Sequence, residues 1–194
     1  YINRLVINYY NGKHPKHHLW KIHYKFIIDN IKPGEKVLDI GCGGSMSYNQ
    51  QLAKNNNIID AVDKNSILVQ KCSNENKFEN IKYYVLDISQ ELPSKKYDII
   101  ILSHVLEHIN NPVVVLHNIK KITNKIIVRL PRYDNDWMKL VKKDLGMYYY
   151  NDLDHKQEFT QESAEELVRG AGWKIITSLN DVDIKILATL DNKS

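Results

Sequence analysis

Short apolar runs rich in Ile and Val alternate along this chain with stretches whose apolar residues recur every three or four positions. That alternation predicts a parallel sheet with crossover helices, because a strand covered on both faces is apolar throughout while a covering helix is apolar on one side. The first predicted strand is Lys36 to Ile40 (KVLDI), followed at once by Gly41-Cys42-Gly43-Gly44-Ser45 and a helix from about Met46. Further strands are predicted at Ile58 to Asp63, at Ile81 to Leu86 (ending at Asp87), at Tyr97 to Leu102, and at Ile126 to Leu130. Pro112 opens a helix reaching about Ile122, and Thr160 is the expected N-cap of another that runs to Arg169, with Gly172 just past its end. Two last strands, roughly Lys174 to Ser178 and Asp183 to Thr189, have no long helix between them and predict an antiparallel hairpin.

Two regions fall outside this rhythm. Lys16 to Ile31 reads as an amphipathic helix with Leu19, Trp20, Phe26, Ile27 and Ile31 on its apolar side, stopped by Pro33-Gly34. Residues 1–33 are therefore expected to act as a lid or leading helix. Residues 131–159 are aromatic-rich without a clean period, and read as an inserted cap or long loop on the substrate side.

A chain of 194 residues suits one buried α/β domain better than two, and no apolar run approaches the roughly 20 residues that cross a bilayer. The start, Tyr1-Ile2-Asn3-Arg4, lacks a signal-peptide pattern and reads as the interior of a longer polypeptide. Net charge is +4 with acids interleaved among the bases, so a nucleic-acid partner is permitted and not demanded. Two cysteines, Cys42 and Cys72, make no disulfide framework, and a reducing, cytoplasmic setting is the expectation.

The chemistry concentrates where predicted strands end. Glycines between a strand and a helix let the backbone approach a ligand, because no Cβ intrudes. Gly41 and Gly43 follow a strand that carries Asp39, and Asp63 closes the second strand some 20 residues on, where an acid can take both hydroxyls of a ribose. Asp87 ends the third strand and can read an adenine amino group, with the Ile88 N–H beside it. The turn lacks the third glycine that a pyrophosphate-binding GxGxxG requires.

VLDIGCGGS resembles the first motif of class I S-adenosylmethionine-dependent methyltransferases, and the strand order resembles that fold from Lys36 to Thr189. The resemblance implies a Rossmann-like seven-stranded sheet, mostly parallel, with an antiparallel C-terminal hairpin and helices on both faces. It also implies that Asp39 and the Gly41–Gly43 backbone hold the methionine part of S-adenosylmethionine, Asp63 the ribose, and Asp87 with Ile88 the adenine. Lys64 and Ser103, beside these strand ends, join the expected cofactor set.

After the fourth strand comes Ser103-His104-Val105-Leu106-Glu107-His108. The spacing of His104, Glu107 and His108 would put three ligands on one face of a helical turn, beside the cofactor crevice. His155 lies far downstream in DHKQEFT. The pattern resembles the ExxEH…H metal site of small-RNA 2′-O-methyltransferases, and its ExxEH part is shared by ubiquinone-pathway catechol O-methyltransferases. In those families a divalent cation grips two adjacent hydroxyls of the acceptor. The expected ligands are His104, Glu107, His108 and His155, with His104, His108 or His155 as the base that deprotonates the acceptor. Imidazole in place of the family's first Glu favours Mn²⁺, Fe²⁺ or Zn²⁺ over Mg²⁺. The string HVLEH also matches the HxxEH of a protease class, but that motif needs a long helix and Asn110-Asn111-Pro112 follows almost at once.

On the acceptor side, Arg129, Arg132, Tyr133, Asp134, Trp137 and Tyr148 to Tyr150 follow the fifth strand and could stack on and hydrogen-bond a sugar. A second metal site among His14, His17, His18 and His23 is not expected. The segments NGKHPKHH, HVLEHINNP and EFT resemble methyltransferases encoded among surface-polysaccharide genes, some of them fused to glycosyltransferases. The expectation is a metal-assisted O-methyltransferase acting on a sugar, free or in a glycan or nucleotide-sugar. Ribose 2′-O-methylation of RNA, a catechol or quinol acceptor, and a silent cofactor-binding interaction domain are the alternatives.

Overall fold

The computed structural model describes residues 24–44, 47–150 and 152–191. Its centre is a seven-stranded sheet in the order β3-β2-β1-β4-β5-β7-β6. The strands are β1 (Lys36–Ile40), β2 (Ile58–Asp63), β3 (Ile81–Val85), β4 (Ile99–Ser103), β5 (Lys125–Pro131), β6 (Lys174–Asn180) and β7 (Asp183–Thr189). The first five pair in parallel, and β7 runs antiparallel to both β5 and β6. The expected fold class is the observed one.

The pleat divides the core into two layers. Leu38, Ile100, Leu102, Val128, Ile184 and Ile186 face one way, and α3 (Pro112–Asn118) and α5 (Gln161–Gly170) cover them with Val115, Leu116, Ala164 and Val168. Val37, Ile99, Ile101, Ile127 and Leu187 face the other way, beneath Leu52 of α1 (Ser47–Lys54) and Phe26, Ile27 and Ile31. Helix α2 (Ser66–Glu75) buries Val69 and Cys72, and its N-cap Asn65 accepts the N–H groups of Ile67 and Leu68.

Several boundaries differ from the sequence pattern. Of the leading helix expected over Lys16–Ile31, residues 24–29 are helical and Lys16–His23 lie outside the described residues, as do the N-terminal histidines, Ser45 and Met46. Strand β4 begins at Ile99, two residues late; before it the Tyr97 N–H is donated to Ile122 O, and the Tyr97 hydroxyl to Asp60 at 2.8 Å. After α3 the chain tightens into a 3₁₀ turn, Ile119–Lys121. Residues 131–159 are not simply a loop: they hold α4 (Trp137–Asp144), whose N-cap Asp136 accepts the Met138 N–H. None of the α4 side chains is buried, although Trp137, Met138, Leu140 and Val141 recur at helical spacing.

Helix α5 starts where expected. Thr160 accepts the Ser163 N–H through Oγ1 at 3.2 Å, and Ser163 Oγ accepts the Thr160 N–H at 2.9 Å. Replacing Thr160 by Ala leaves the Ser163 N–H without its side-chain partner, a loss of about 1 kcal/mol. In thermal melts of Thr160→Ala the midpoint is expected to fall by about 2–4 °C; no change would show that the cap is dispensable.

Candidate functional site

Between β1 and β4 the strand order reverses, and in open α/β sheets the ligand crevice lies beyond the carboxyl ends of the strands at such a point. The glycine turn sits on one side of it. Gly41 and Gly43 both adopt left-handed backbone, at φ 69° and 56°. A Cβ on Gly41 would meet Val105 Cγ2 at 2.5 Å, whereas a Cβ on Gly43 would have nothing within 4 Å. The turn is thus packed against the β4 loop at one glycine and open at the other, as a cradle for a ligand's backbone contacts requires. The N–H groups of Gly41 and Cys42 are donated to Val62 O, which pins the turn to β2.

One strand-end acid holds this turn. Asp63 accepts the Gly43 N–H at 2.9 Å and the Asn65 N–H at 2.8 Å, so it braces the turn and the start of α2 together. Lys64 beside it is exposed. Asp87 is half-buried and accepts both the N–H and the hydroxyl of Ser89, which hold its carboxyl below the usual range. Ile88 packs against the core next to it.

Asp39 lies behind the glycine turn. It is fully buried, and its two oxygens accept Tyr48 OH at 2.5 Å and Asn49 Nδ2 at 2.7 Å. Its role in this arrangement is to anchor the first turn of α1 behind the glycines. Burial pushes its carboxyl from the usual 3.8 up to about 7, against the lowering effect of the two hydrogen bonds. The folded protein therefore retains a proton that the unfolded chain releases near pH 4. Stability is fullest below the unfolded value and declines as pH rises through about 7. Urea midpoints of metal-free protein between pH 4.5 and 7.5 are expected to fall, and Asp39→Asn to flatten the slope. A slope unchanged in Asp39→Asn would contradict this.

Across the crevice, β4 ends in Ser103 and the chain turns sharply. His104 is left-handed at φ 58°, a conformation that costs a non-glycine residue about 1–3 kcal/mol. That kink, followed by a 3₁₀ turn at Leu106–His108, breaks the helical spacing on which the sequence argument relied. Glu107, His108 and His155 come together, each offering a ligand atom within 4.8 Å of the others. His104 stands aside from that group: its Nε2 lies 3.4 Å from Asp183 Oδ2, and its Nδ1 is 3.5 Å from Glu107 Oε1, a contact and not a hydrogen bond.

The donor set of this cluster, one carboxyl and two imidazoles, could hold a metal ion. Glu107 is fully buried, and neither of its oxygens finds a hydrogen-bond partner among the described residues. Burial, with Glu158 nearby, raises its carboxyl to about 8. A buried carboxyl with no partner is costly unless something positive meets it. His155 donates or accepts through Nδ1 with Glu158 Oε1 at 2.8 Å, which leaves its Nε2 as the free ligand atom. The His108 ring packs edge-on against His155, 4.8 Å between centroids, and burial holds its pKa down, so its lone pair stays available.

Glu158 and Asp183 are the two site residues that the sequence did not single out. Glu158 lay inside the quoted DHKQEFT, and its i, i+3 spacing from His155 was the available signal. Asp183 is 79 residues from His104, and nothing local marks it. Of the expected acceptor residues, Arg132 pairs with Asp134, and Tyr133 packs with Lys143 and Tyr149. Tyr150 packs tilted against Tyr148 and edge-on against Tyr149, and Trp137 is 69% exposed. A cavity of about 360 Å³ lined by Lys36, Asp60, Lys82 and Tyr97 lies at the opposite, amino-terminal end of the strands.

This geometry can be set beside known proteins. A family model described as a methyltransferase domain matches residues 14–178. The chain belongs to that family. It is similar to the ubiquinone biosynthesis O-methyltransferase of Coxiella burnetii (strain RSA 493 / Nine Mile phase I), 32% identical over 108 residues, 54% of this chain and 46% of that protein. The protein of the same name from Glaesserella parasuis serovar 5 is 30% identical over 118 residues, 56% of this chain and 50% of that one. The chain thus spans about half the length of the curated relatives it matches. Among solved structures, magnesium protoporphyrin IX methyltransferase from Synechocystis PCC 6803 with bound SAH superposes with a TM-score of 0.69 at 15% identity, covering 90% of this chain and 83% of that one. The N-methyltransferase NodS from Bradyrhizobium japonicum WM9, in complex with S-adenosyl-L-homocysteine, gives 0.67 at 12% identity, covering 92% and 89%. These likenesses establish the fold of the methyltransferase domain. Among the described residues, no helix is long and apolar enough to cross a membrane.

Proposed function

We propose that this methyltransferase domain transfers the methyl group of S-adenosylmethionine to one of two adjacent hydroxyls of its acceptor, with a divalent cation held by Glu107, His108 and His155. The observation that carries the reading is the buried carboxyl group of Glu107, without a hydrogen-bond partner among the described residues, beside two histidines at the carboxyl end of a central strand. A cation bound there supplies positive charge beside the acceptor oxygen, which lowers the pKa of the hydroxyl and makes it a better nucleophile. Glu107 and the two imidazoles form a mixed oxygen and nitrogen set, which suits Mn²⁺, Fe²⁺ or Zn²⁺ better than Mg²⁺.

The protein's own groups do the rest. The open face at Gly43 receives the cofactor, and the turn pinned to β2 keeps its methyl group pointed at a fixed place. His104 has a side chain 37% exposed and is kept neutral by burial of its surroundings, so it can take the proton of the acceptor hydroxyl. Tyr133, Tyr149 and Tyr150 line the next segment and suit a ring-shaped acceptor.

We take the acceptor to be a sugar bearing vicinal hydroxyls, in a glycan or nucleotide-sugar, with any glycosyltransferase partner following from that. A catechol ring is the second reading, favoured by the name that the Coxiella and Glaesserella relatives share. Transfer of labelled methyl to panels of sugars, catechols and RNA, with and without chelator, tests both. Chelator is expected to stop transfer and Mn²⁺ to restore it. Full activity in chelator would remove the cation from the reading, and transfer to catechols alone would remove the sugar.

A further inference from the structure

The structure also points to a residue that serves the acceptor side without belonging to it. We propose that Asp183, gripped by Arg129, is a positioning residue: it fixes the imidazole of His104, and with it the turn that delivers Glu107 and His108 to the cation-holding group. The inference rests on the reading above.

Three strand ends meet here. In the sheet, Ser103 of β4 is registered beside Arg129 of β5, and Arg129 beside Lys185 of β7, so Ser103, Arg129, Lys185 and Asp183 share one face. Farther down that face the same strands carry Ile101, Ile127 and Leu187, all core residues. The polar row therefore sits on top of a packed layer and cannot sink. Arg129 is almost fully buried, and its Nε and Nη2 each lie 2.7 Å from Asp183 Oδ2, while Nη1 donates to Ser103 Oγ at 3.2 Å. A planar guanidinium held at both ends is a rigid clamp, so the place of the Asp183 oxygen is set by the sheet.

That same oxygen faces His104 Nε2 at 3.4 Å. The other ring nitrogen faces Glu107, and the His104 N–H is donated to Arg129 O at 2.9 Å. A non-glycine residue remains left-handed only where its surroundings hold it there. Here the backbone is held by β5 and the side chain by Asp183. Release of the ring removes one of two restraints on a kink that lies three residues before Glu107.

A plain alternative is that Asp183 only neutralises Arg129. One oxygen serves both Arg129 and His104, so the two roles are separated by substitution. Asp183→Asn keeps an acceptor oxygen at that place and discards the charge, whereas Asp183→Ala discards both. The experiment measures Mn²⁺ affinity, S-adenosylhomocysteine affinity, and the imidazole ¹⁵N resonances of His104 in metal-free protein. For Asp183→Asn, Mn²⁺ affinity is expected within about threefold of wild type; for Asp183→Ala a loss of about 10–100-fold is expected, as for other groups that orient metal ligands. S-adenosylhomocysteine affinity is expected to stay within about threefold in both, which shows that the fold survives. Adding Asp183→Ala to His104→Ala is expected to cost nothing further.

The protonated Nε2 resonance of His104 is expected in wild type and Asp183→Asn and to be lost in Asp183→Ala. Equal weakening by Asn and Ala, or multiplying effects of the two alanine changes, would overturn the inference. If wild type binds no Mn²⁺, the cation reading fails by itself. The His104 resonance then decides the clamp: unchanged in Asp183→Ala it refutes the clamp, and lost it upholds it.

Discussion

Glu107→Gln is expected to abolish chelator-sensitive methyl transfer, by a factor of about 100 or more, while making the metal-free protein more stable. The two effects have one cause. In the folded chain the Glu107 carboxyl is fully buried and without a hydrogen-bond partner among the described residues, and its pKa is raised to about 8. Ionising it at pH 8 or above without a cation costs free energy that Gln, being neutral, does not pay. The sign follows from proton counting. The folded state keeps the Glu107 proton up to about pH 8 while the unfolded chain loses it near 4.5, so metal-free stability falls across that window. Glu107→Gln is expected to remove much of that decline, and Mn²⁺ to restore stability to wild type but not to the variant. Urea titrations at pH 5 and pH 8.5, with and without Mn²⁺, check it. A variant that loses stability at both pH values, or gains as much from Mn²⁺ as wild type, would show that Glu107 is a structural residue.

The second large effect is expected from Gly41→Ala, which is a small change with consequences on both sides of the crevice. The new methyl group meets Val105 Cγ2 at 2.5 Å on a backbone at φ 69°. Strain of the left-handed residue and overpacking together cost about 2–5 kcal/mol. Val105 immediately precedes the 3₁₀ turn that carries Glu107 and His108, so the clash is passed on to the Glu107, His108 and His155 cluster. Loss of S-adenosylhomocysteine affinity by about tenfold or more is expected, with weaker Mn²⁺ binding as well. Val105→Ala in the same chain removes the clashing methyl groups but not the strain, and is expected to recover part of both losses. Calorimetric titration of each ligand measures this. Unchanged Mn²⁺ affinity in Gly41→Ala would show that the two halves of the site are not sterically linked.

Such a link was invisible before folding. The residues Gly41 and Val105 are 64 positions apart, and only the adjacency of β1 and β4 makes them touch. The same holds for Gln157, which donates to the Leu106 and Ile109 carbonyls and ties the His155 segment to the Glu107 turn.

What the amino-acid sequence determined was everything governed by a local period or a local conformational need. Continuous apolar runs marked the strands, with β1, β2 and β7 at their observed limits. Two glycines after a strand marked the turn, since left-handed backbone there favours a residue without a Cβ. Thr160 marked the start of α5, since a helix leaves N–H groups that a nearby hydroxyl can accept. Tertiary structure alone decided the rest. Helical spacing assigned His104 to the cation group, but a left-handed kink at a non-glycine residue has no sequence signature, and it turned that ring towards Asp183. The resemblance of the first motif gave Asp39 a place beside the cofactor; only the packing of α1 shows that its oxygens also accept Tyr48 and Asn49. Spacing describes neighbours along one element, whereas a site is made by groups that only the packing of separate elements brings within reach of each other.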